Sequence, residues 1–456
     1  MTTLLLVFAA MLLLAVLVSA FVHRTVMSTA VLFLVGGFLL GEGVGDVLHL
    51  SPDDEIVNTL AELALFAVLF TDGMKAGWKE VRGAWRLPGR ALAGGLPLTL
   101  LITAALAHYV VGLGWIESLL IGAVLSPTDP VFAAALIGNE KVPPRLRRLL
   151  NTESGINDGI ALPFVIIFLA IAQGSGDLHI DELAIELALG VVIGVAVPLA
   201  ALALERTRLF AVAPKFEPLN ALAIGMLVLA LSMATHGNLY IAAFAAGVTV
   251  ATVGDHYKES FEEFGELIAE LFKLGALLVF GALLSPQFLS EVGWSGWVFA
   301  VLALVVARPV ALWVSFLRSK LSTREQIAAM WFGPKGFASV VYGLIVLESG
   351  IAAADEIFHL VAATIALSIL AHSSTDVIVA KGFDSEEEVP AWFDHDDDPD
   401  EEKTPDDRKG PDGKRAPEDK KGSGGRGKDA AQPGKSPPAS PPEASEPSGA
   451  SGSSSN

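Results

Sequence analysis

The chain has 456 residues, 52% hydrophobic and 18% charged, with no cysteine and a positive mean hydropathy of +0.54. That balance excludes an ordinary soluble enzyme and places the chain in the polytopic membrane class, and the missing cysteines exclude disulfides, thiolate metal sites and thiol nucleophiles. The net charge of -19 is unevenly spread, because residues 382–456 hold 19 acidic against 10 basic side chains in a Pro-, Gly- and Ser-rich stretch. Such a composition cannot bury a core, so a disordered acidic tail (382–456) is expected behind a membrane domain (1–381).

Apolar runs of about 20 residues recur as far as Ala380, about thirteen in all, which predicts an all-α polytopic bundle. Their centres lie near Leu13, Val35, Leu65, Leu101, Leu125, Ala161, Val192, Leu227, Phe244, Leu277, Leu304, Phe337 and Ala366. The first run, Leu4 to Val22, has no basic residue before it and Arg24 after it. This predicts a retained span with its amino terminus outside. Alternate loops are basic, with His23 and Arg24, then Lys75, Lys79, Arg82, Arg86 and Arg90, then Lys141, Arg145, Arg147 and Arg148. These loops are therefore expected to face the cytoplasm in an inner (plasma) membrane, and an odd number of spans puts the tail on the same side.

Along the chain, the first intramembrane acid of interest is Asp72, near the inner end of the third span; it reads either as a cation ligand or as a helix-end residue. The fifth span contains Ser126-Pro127-Thr128-Asp129-Pro130. Pro127 and Pro130 remove amide donors and are expected to leave the carbonyls of Ala123 and Ser126 unpaired around Asp129. The sixth span carries Glu153-Ser154-Gly155-Ile156-Asn157-Asp158-Gly159, in which Ser154 and Asp158, four apart, share one helix face and Glu153 and Asn157 the next. Between Ser260 and Lys273, charges three and four residues apart suggest a helix lying along the membrane interface or packed on the core.

Arg308 lies inside the eleventh span, where its partner is not readable. The twelfth span is interrupted by Gly333-Pro334-Lys335-Gly336, Gly333, Pro334 and Gly336 acting as breakers. The two broken spans lie an odd number of spans apart and so cross in opposite directions, as inverted repeats require. His108, His236 and His372 make no metal-ligand spacing and read as satisfied or interfacial histidines.

Carboxylates this deep cost about 2.5 to 3.5 kcal/mol each even on a lenient insertion scale, so they are expected to serve a ligand. Asp129, Asp158, the Ser154 hydroxyl and the carbonyls freed in the fifth span offer the oxygen ligands that a hard monovalent cation prefers, and no transition-metal set is present. Two nearby desolvated carboxylates also bind protons, so cation and proton would compete for Asp158 and Asp129, and no ATP is needed. Glu153 is expected to neutralise Lys335 across the two broken helices, and Asn157 to hold Asp158 or the helix break by hydrogen bonds, or to pack. No cofactor is called for. The expected partners are a monovalent cation, protons and membrane lipid, with no nucleic acid.

At Thr128-Asp129-Pro130, Glu153 to Gly159 and Gly333 to Gly336, in that order, the sequence resembles the monovalent cation:proton antiporter family one, the bacterial NhaP-type sodium/proton antiporters, over roughly Leu4 to Ala380. The resemblance implies an NhaA/NhaP-like fold with two unwound crossing helices and a homodimer. It also implies that Asp158 is the shared proton and cation carboxylate, with Thr128, Asp129, Ser154 and Asp72 as ligands. The Asn157-Asp158 pair resembles the electroneutral branch, in which one sodium ion exchanges for one proton in pH and sodium homeostasis. Lys335 stands where the family usually has arginine, and Asp72 where it often has glutamate, which leaves potassium or lithium open as the cation. A channel or uniporter and an intramembrane aspartyl protease are the competing classes; neither accounts for a single midplane cluster between inverted repeats.

Overall fold

A computed structural model describes residues 1–22, 29–52, 54–76, 86–129, 136, 139, 141–174, 180–207, 209–210 and 212–383. His23, Arg24, Lys79, Arg82, Pro130 and the tail from 384 onward lie outside the described residues. Among those described there is no strand. In hydrocarbon a backbone must satisfy its own hydrogen bonds, and long runs of Leu, Ala and Val do so as helices.

In chain order the helices are α1 (Thr2–Val22), α2 (Thr29–Leu40), α3 (Glu55–Lys75), α4 (Arg86–Val111), α5 (Trp115–Val124) and α6 (Pro144–Ala172). They continue with α7 (Ile180–Glu205), α8 (Glu217–Thr235), α9 (Leu239–Val253), α10 (Asp255–Leu283) and the short α11 (Pro286–Glu291). The last are α12 (Trp294–Ser315), α13 (Thr323–Trp331), α14 (Phe337–Glu348) and α15 (Ala354–Lys381). Seven of the described helices are long and apolar enough to cross a membrane, and five shorter apolar helices accompany them. Every predicted span centre falls inside a helix or, for Leu125, at its C-terminal cap.

Two groups of helices emerge from the packing. Helices α2, α3 and α7 to α10 pack mainly on one another, and α4, α5, α6 and α12 to α15 form the second set. In the first set, a Cβ on Gly37 of α2 or Gly281 of α10 would overlap the facing helix's carbonyl, and Gly73 of α3 and Gly247 of α9 meet in the same way. Glycine is required at these positions because the backbones touch, the usual device where dispersion rather than water drives helix association.

Of the two expectations for Ser260 to Lys273, a helix along the interface or one packed on the core, the fold shows the second at Lys273. The segment is the first part of α10, which runs without interruption to Leu283. The apolar stretch after Lys273 carries the helix into the bundle and takes the lysine with it, so that Lys273 is buried.

Candidate functional site

Two interrupted spans meet at the site. Helix α5 ends at Val124, and Pro127, Thr128 and Asp129 follow without regular structure. The second interruption, Phe332 to Gly336, separates α13 from α14. The two are joined through Asp129, whose main-chain N–H donates to the carbonyl of Pro334 at 2.9 Å. Its carboxylate Oδ2 accepts from the N–H of Phe337, the first residue of α14, at 3.3 Å, where the helix dipole favours a negative charge. A Cβ on Gly336 would overlap the Asp129 side chain, so glycine is what lets the two breaks approach.

The exposed backbone groups of the breaks are taken up largely by protein. The carbonyl of Ala123, expected to be free, accepts from the Ser126 hydroxyl at 2.9 Å and from the Ser126 N–H at 3.3 Å. This corrects the expectation that proline would release it toward a cation. In the second break Phe332 gives its carbonyl to Arg308 at 3.2 Å and Trp331 gives its own to His372 at 3.0 Å.

Lys273 of α10 reaches Asp129 from the other helix group, its Nζ 3.4 Å from Oδ2 and 3.5 Å from Oδ1. Both side chains are buried. Asp129 thus faces an ammonium and a helix N-terminus at once.

Asp158 stands differently. Its side chain is buried and its Oδ1 has no hydrogen-bond partner, and the same is true of the neighbouring Asn157 Oδ1. Around them the predicted ligand oxygens are brought together. Thr128 Oγ1 lies 3.2 Å from Ser154 Oγ and accepts from Asn157 Nδ2 at 2.7 Å. The Tyr342 hydroxyl of α14 donates to the carbonyl of Asp158 at 2.9 Å, anchoring that turn of α6. Asp72, in the last turn of α3, is half-buried and within electrostatic reach of Asp158, Asp129 and Lys75. Among the described residues no three His, Cys, Asp or Glu side chains converge as a metal site. The arrangement is one of few carboxylates and several neutral oxygens.

The predicted Glu153–Lys335 pair is not formed. Glu153 instead binds Arg308 through two hydrogen bonds, Nη1 to Oε1 at 2.6 Å and Nη2 to Oε2 at 3.1 Å. The guanidinium fork matches a carboxylate in a way that a lysine cannot. Pro309 has no N–H to continue the helix, and α12 takes a wide π turn over Ala303–Ala307 immediately before Arg308. A Cβ on Gly333 would overlap the guanidinium, so Arg308 passes directly beneath the second break. Lys335, only 1% exposed, keeps its Nζ without a hydrogen-bond partner.

Two participants escaped the sequence reading. Lys273 was grouped with its acidic neighbours, although a lone lysine followed by a continuous apolar run is itself the mark of a buried charge. His372 is a satisfied histidine, as one of its two readings had it, but its place against the second break together with Ser368 was not read from the sequence.

An all-helical bundle with two interrupted spans crossing over buried carboxylates defines a membrane transporter fold. A solved structure of similar fold is that of the sodium proton antiporter MjNhaP1 from Methanocaldococcus jannaschii, with a TM-score of 0.69 at 19% identity over 83% of this chain and 98% of that one. The family model for the transmembrane sodium/hydrogen exchangers matches residues 10–381, and the chain belongs to that family.

Among curated relatives, the K(+)/H(+) antiporter NhaP2 of Shewanella sp. strain ANA-3 is 25% identical over 374 residues, 80% of this chain and 64% of the relative. The K(+)/H(+) antiporter NhaP of Alkalimonas amylolytica is 26% identical over 324 residues, 70% of this chain and 56% of the relative. The chain therefore spans less than two thirds of the length of these relatives.

Proposed function

We propose that this protein is a secondary active antiporter that exchanges one monovalent cation for one proton at Asp158, electroneutrally. One observation carries the reading: a buried carboxylate oxygen and a buried amide oxygen, Asp158 Oδ1 and Asn157 Oδ1, lack donors beside the Thr128 and Ser154 hydroxyls. Unmatched acceptors in a dry site favour a proton or a small hard cation, and one position that holds either but not both couples their movements. Asp129 contributes its negative charge against the Lys273 ammonium, leaving the net exchange to Asp158. Thr128 and Ser154 supply neutral oxygens, and Asp72 supplies a further carboxylate at the approach.

Sodium is the leading cation. Potassium is the second reading, supported by the names of the Shewanella and Alkalimonas relatives. The resemblance also supports a homodimer in the inner membrane, with the amino terminus outside and the tail inside, and a role in pH and sodium balance.

The test is dequenching of a pH-sensitive dye in proteoliposomes after sodium, then potassium, is added to wild type and Asp158→Asn. Proton movement in wild type and silence in an inserted, folded variant support the assignment. A wild type that moves no protons with either cation across the tested pH range overturns it.

A further inference from the structure

We infer that His372 and Ser368 of α15 are positioning residues for the cation site, acting through the second break rather than by touching the ion. The inference rests on the antiport reading above. The break from Phe332 to Gly336 is gripped from two sides. On one side stands Asp129, bonded to the Pro334 carbonyl and the Phe337 N–H. On the other stands α15, where Ser368 Oγ accepts the Lys335 N–H at 2.7 Å and His372 Nε2 lies 3.0 Å from the Trp331 carbonyl. Ser368 Oγ and His372 Nδ1 are 3.1 Å apart, so the two side chains form a single relay spanning the interruption. Both residues are at most 2% exposed.

The relay requires one tautomer. With the proton on Nε2, His372 donates to Trp331, the Ser368 hydroxyl donates to Nδ1, and the Lys335 N–H donates to Ser368. Nδ1 also lies 2.7 Å from the Ser368 carbonyl, an acceptor that the other tautomer would satisfy instead, so a neutral ring serves one of the two carbonyls and leaves the other without a donor from the ring. Further support comes from Thr375, whose Oγ1 accepts from Trp331 Nε1 at 2.9 Å. The charged groups facing the ring are Lys335 on the break itself and Arg308 on α12. Neither is a hydrogen-bond partner of the ring.

The consequence is geometric. Trp331 and Lys335 set the path of the chain between them, and Pro334, enclosed by the two, holds the main chain of Asp129. Loss of the relay lets the break relax and shifts Asp129, with the adjoining Thr128, relative to Ser154 and Asp158, which weakens cation binding more than it slows turnover.

The experiment compares wild type with His372→Phe, Ser368→Ala and His372→Gln, the last keeping an N–H donor. Two readouts are taken: the half-saturating cation concentration against the maximal rate in proteoliposomes, and the cation-induced rise in melting temperature of purified protein. We expect His372→Phe and Ser368→Ala to raise the half-saturating concentration about 3- to 10-fold, the affinity equivalent of one lost hydrogen bond. The melting rise should shrink in parallel, the maximal rate should stay within about twofold, and His372→Gln should recover most of the loss.

An unchanged half-saturating concentration with a reduced rate or reduced abundance overturns the inference, as does failure of glutamine to rescue. The melting readout needs no proton movement, so cation binding without exchange would refute the antiport reading and still decide the role of the relay.

Discussion

Arg308 and Glu153 close on each other with two hydrogen bonds in a site where both residues are at most 5% exposed. The same guanidinium reaches the Phe332 carbonyl at the end of α13. One side chain therefore neutralises a buried acid on α6 and caps a helix that the proline has cut short.

Removing one partner of such a pair strands the other. Arg308→Ala is expected to destabilise the protein by about 3 to 5 kcal/mol, with a lower melting temperature and reduced abundance in the membrane. Arg308→Lys should recover little of this, because an ammonium cannot reproduce the fork. Lys335→Met strands no carboxylate and should lower the melting temperature far less. Thermal unfolding in detergent checks the order, which would be reversed if Lys335 were the partner of Glu153.

Lys273 and Asp129 belong to different helix groups, and their contact is testable by a double-mutant cycle. Lys273→Met and Asp129→Asn should each impair folding or exchange, and the double variant should be less damaged than the two single effects combined. A coupling of about 0.5 to 3 kcal/mol in unfolding is expected. Simple additivity would show that the two do not interact.

Asp158→Asn should insert normally and move no protons in response to any cation, because it removes the group on which cation and proton compete in the proposed exchange. Thr128→Val and Ser154→Ala should retain proton movement while raising the half-saturating cation concentration, since each removes one neutral oxygen from the site. Concentration curves in proteoliposomes separate the two outcomes. Full loss of exchange in the hydroxyl variants with the cation affinity unaltered would speak against their role as ligands.

Glycines in the breaks differ from a glycine in the neighbouring helix. Gly336→Ala and Gly333→Ala place a methyl group into Asp129 and Arg308 respectively, and should abolish exchange or accumulation. At Gly155 of α6 a Cβ would meet nothing within 4 Å, so Gly155→Ala should be tolerated or even stabilising by about 0.5 to 1 kcal/mol. Abundance in the membrane and melting temperature test all three variants.

The parts of this architecture legible in the sequence were those with local causes. Runs of apolar residues give spans because the bilayer sets their length, and prolines beside Asp129 and at Pro334 mark breaks because a missing donor cannot be hidden in lipid. The shared face of Ser154 and Asp158 likewise follows from helical spacing, whereas Thr128 entered the ligand set through the family resemblance. The choice of Arg308 over Lys335 as the partner of Glu153 was not legible, since it depends on how far α12 approaches α6 and on which cation fits a fork. The approach of Lys273 to Asp129 joins residues 144 positions apart, which no local pattern reports. His372 carries the same lesson, because only the docking of α15 shows that one of its neighbours is the Trp331 carbonyl of the broken span.

The bond between Asp129 and Pro334, together with that between Phe337 and Asp129, fastens one interrupted span to the other by both main chain and side chain. Neither can slip past its partner without losing both hydrogen bonds. The touching glycines of α2 with α10 and of α3 with α9 similarly resist shear inside the first helix group. The contact of Lys273 with Asp129 lies across the seam between the two groups. That ion pair is a link that a relative movement of the groups would stretch, so the distance between α10 and the fifth span is a coordinate along which to test the proposed exchange.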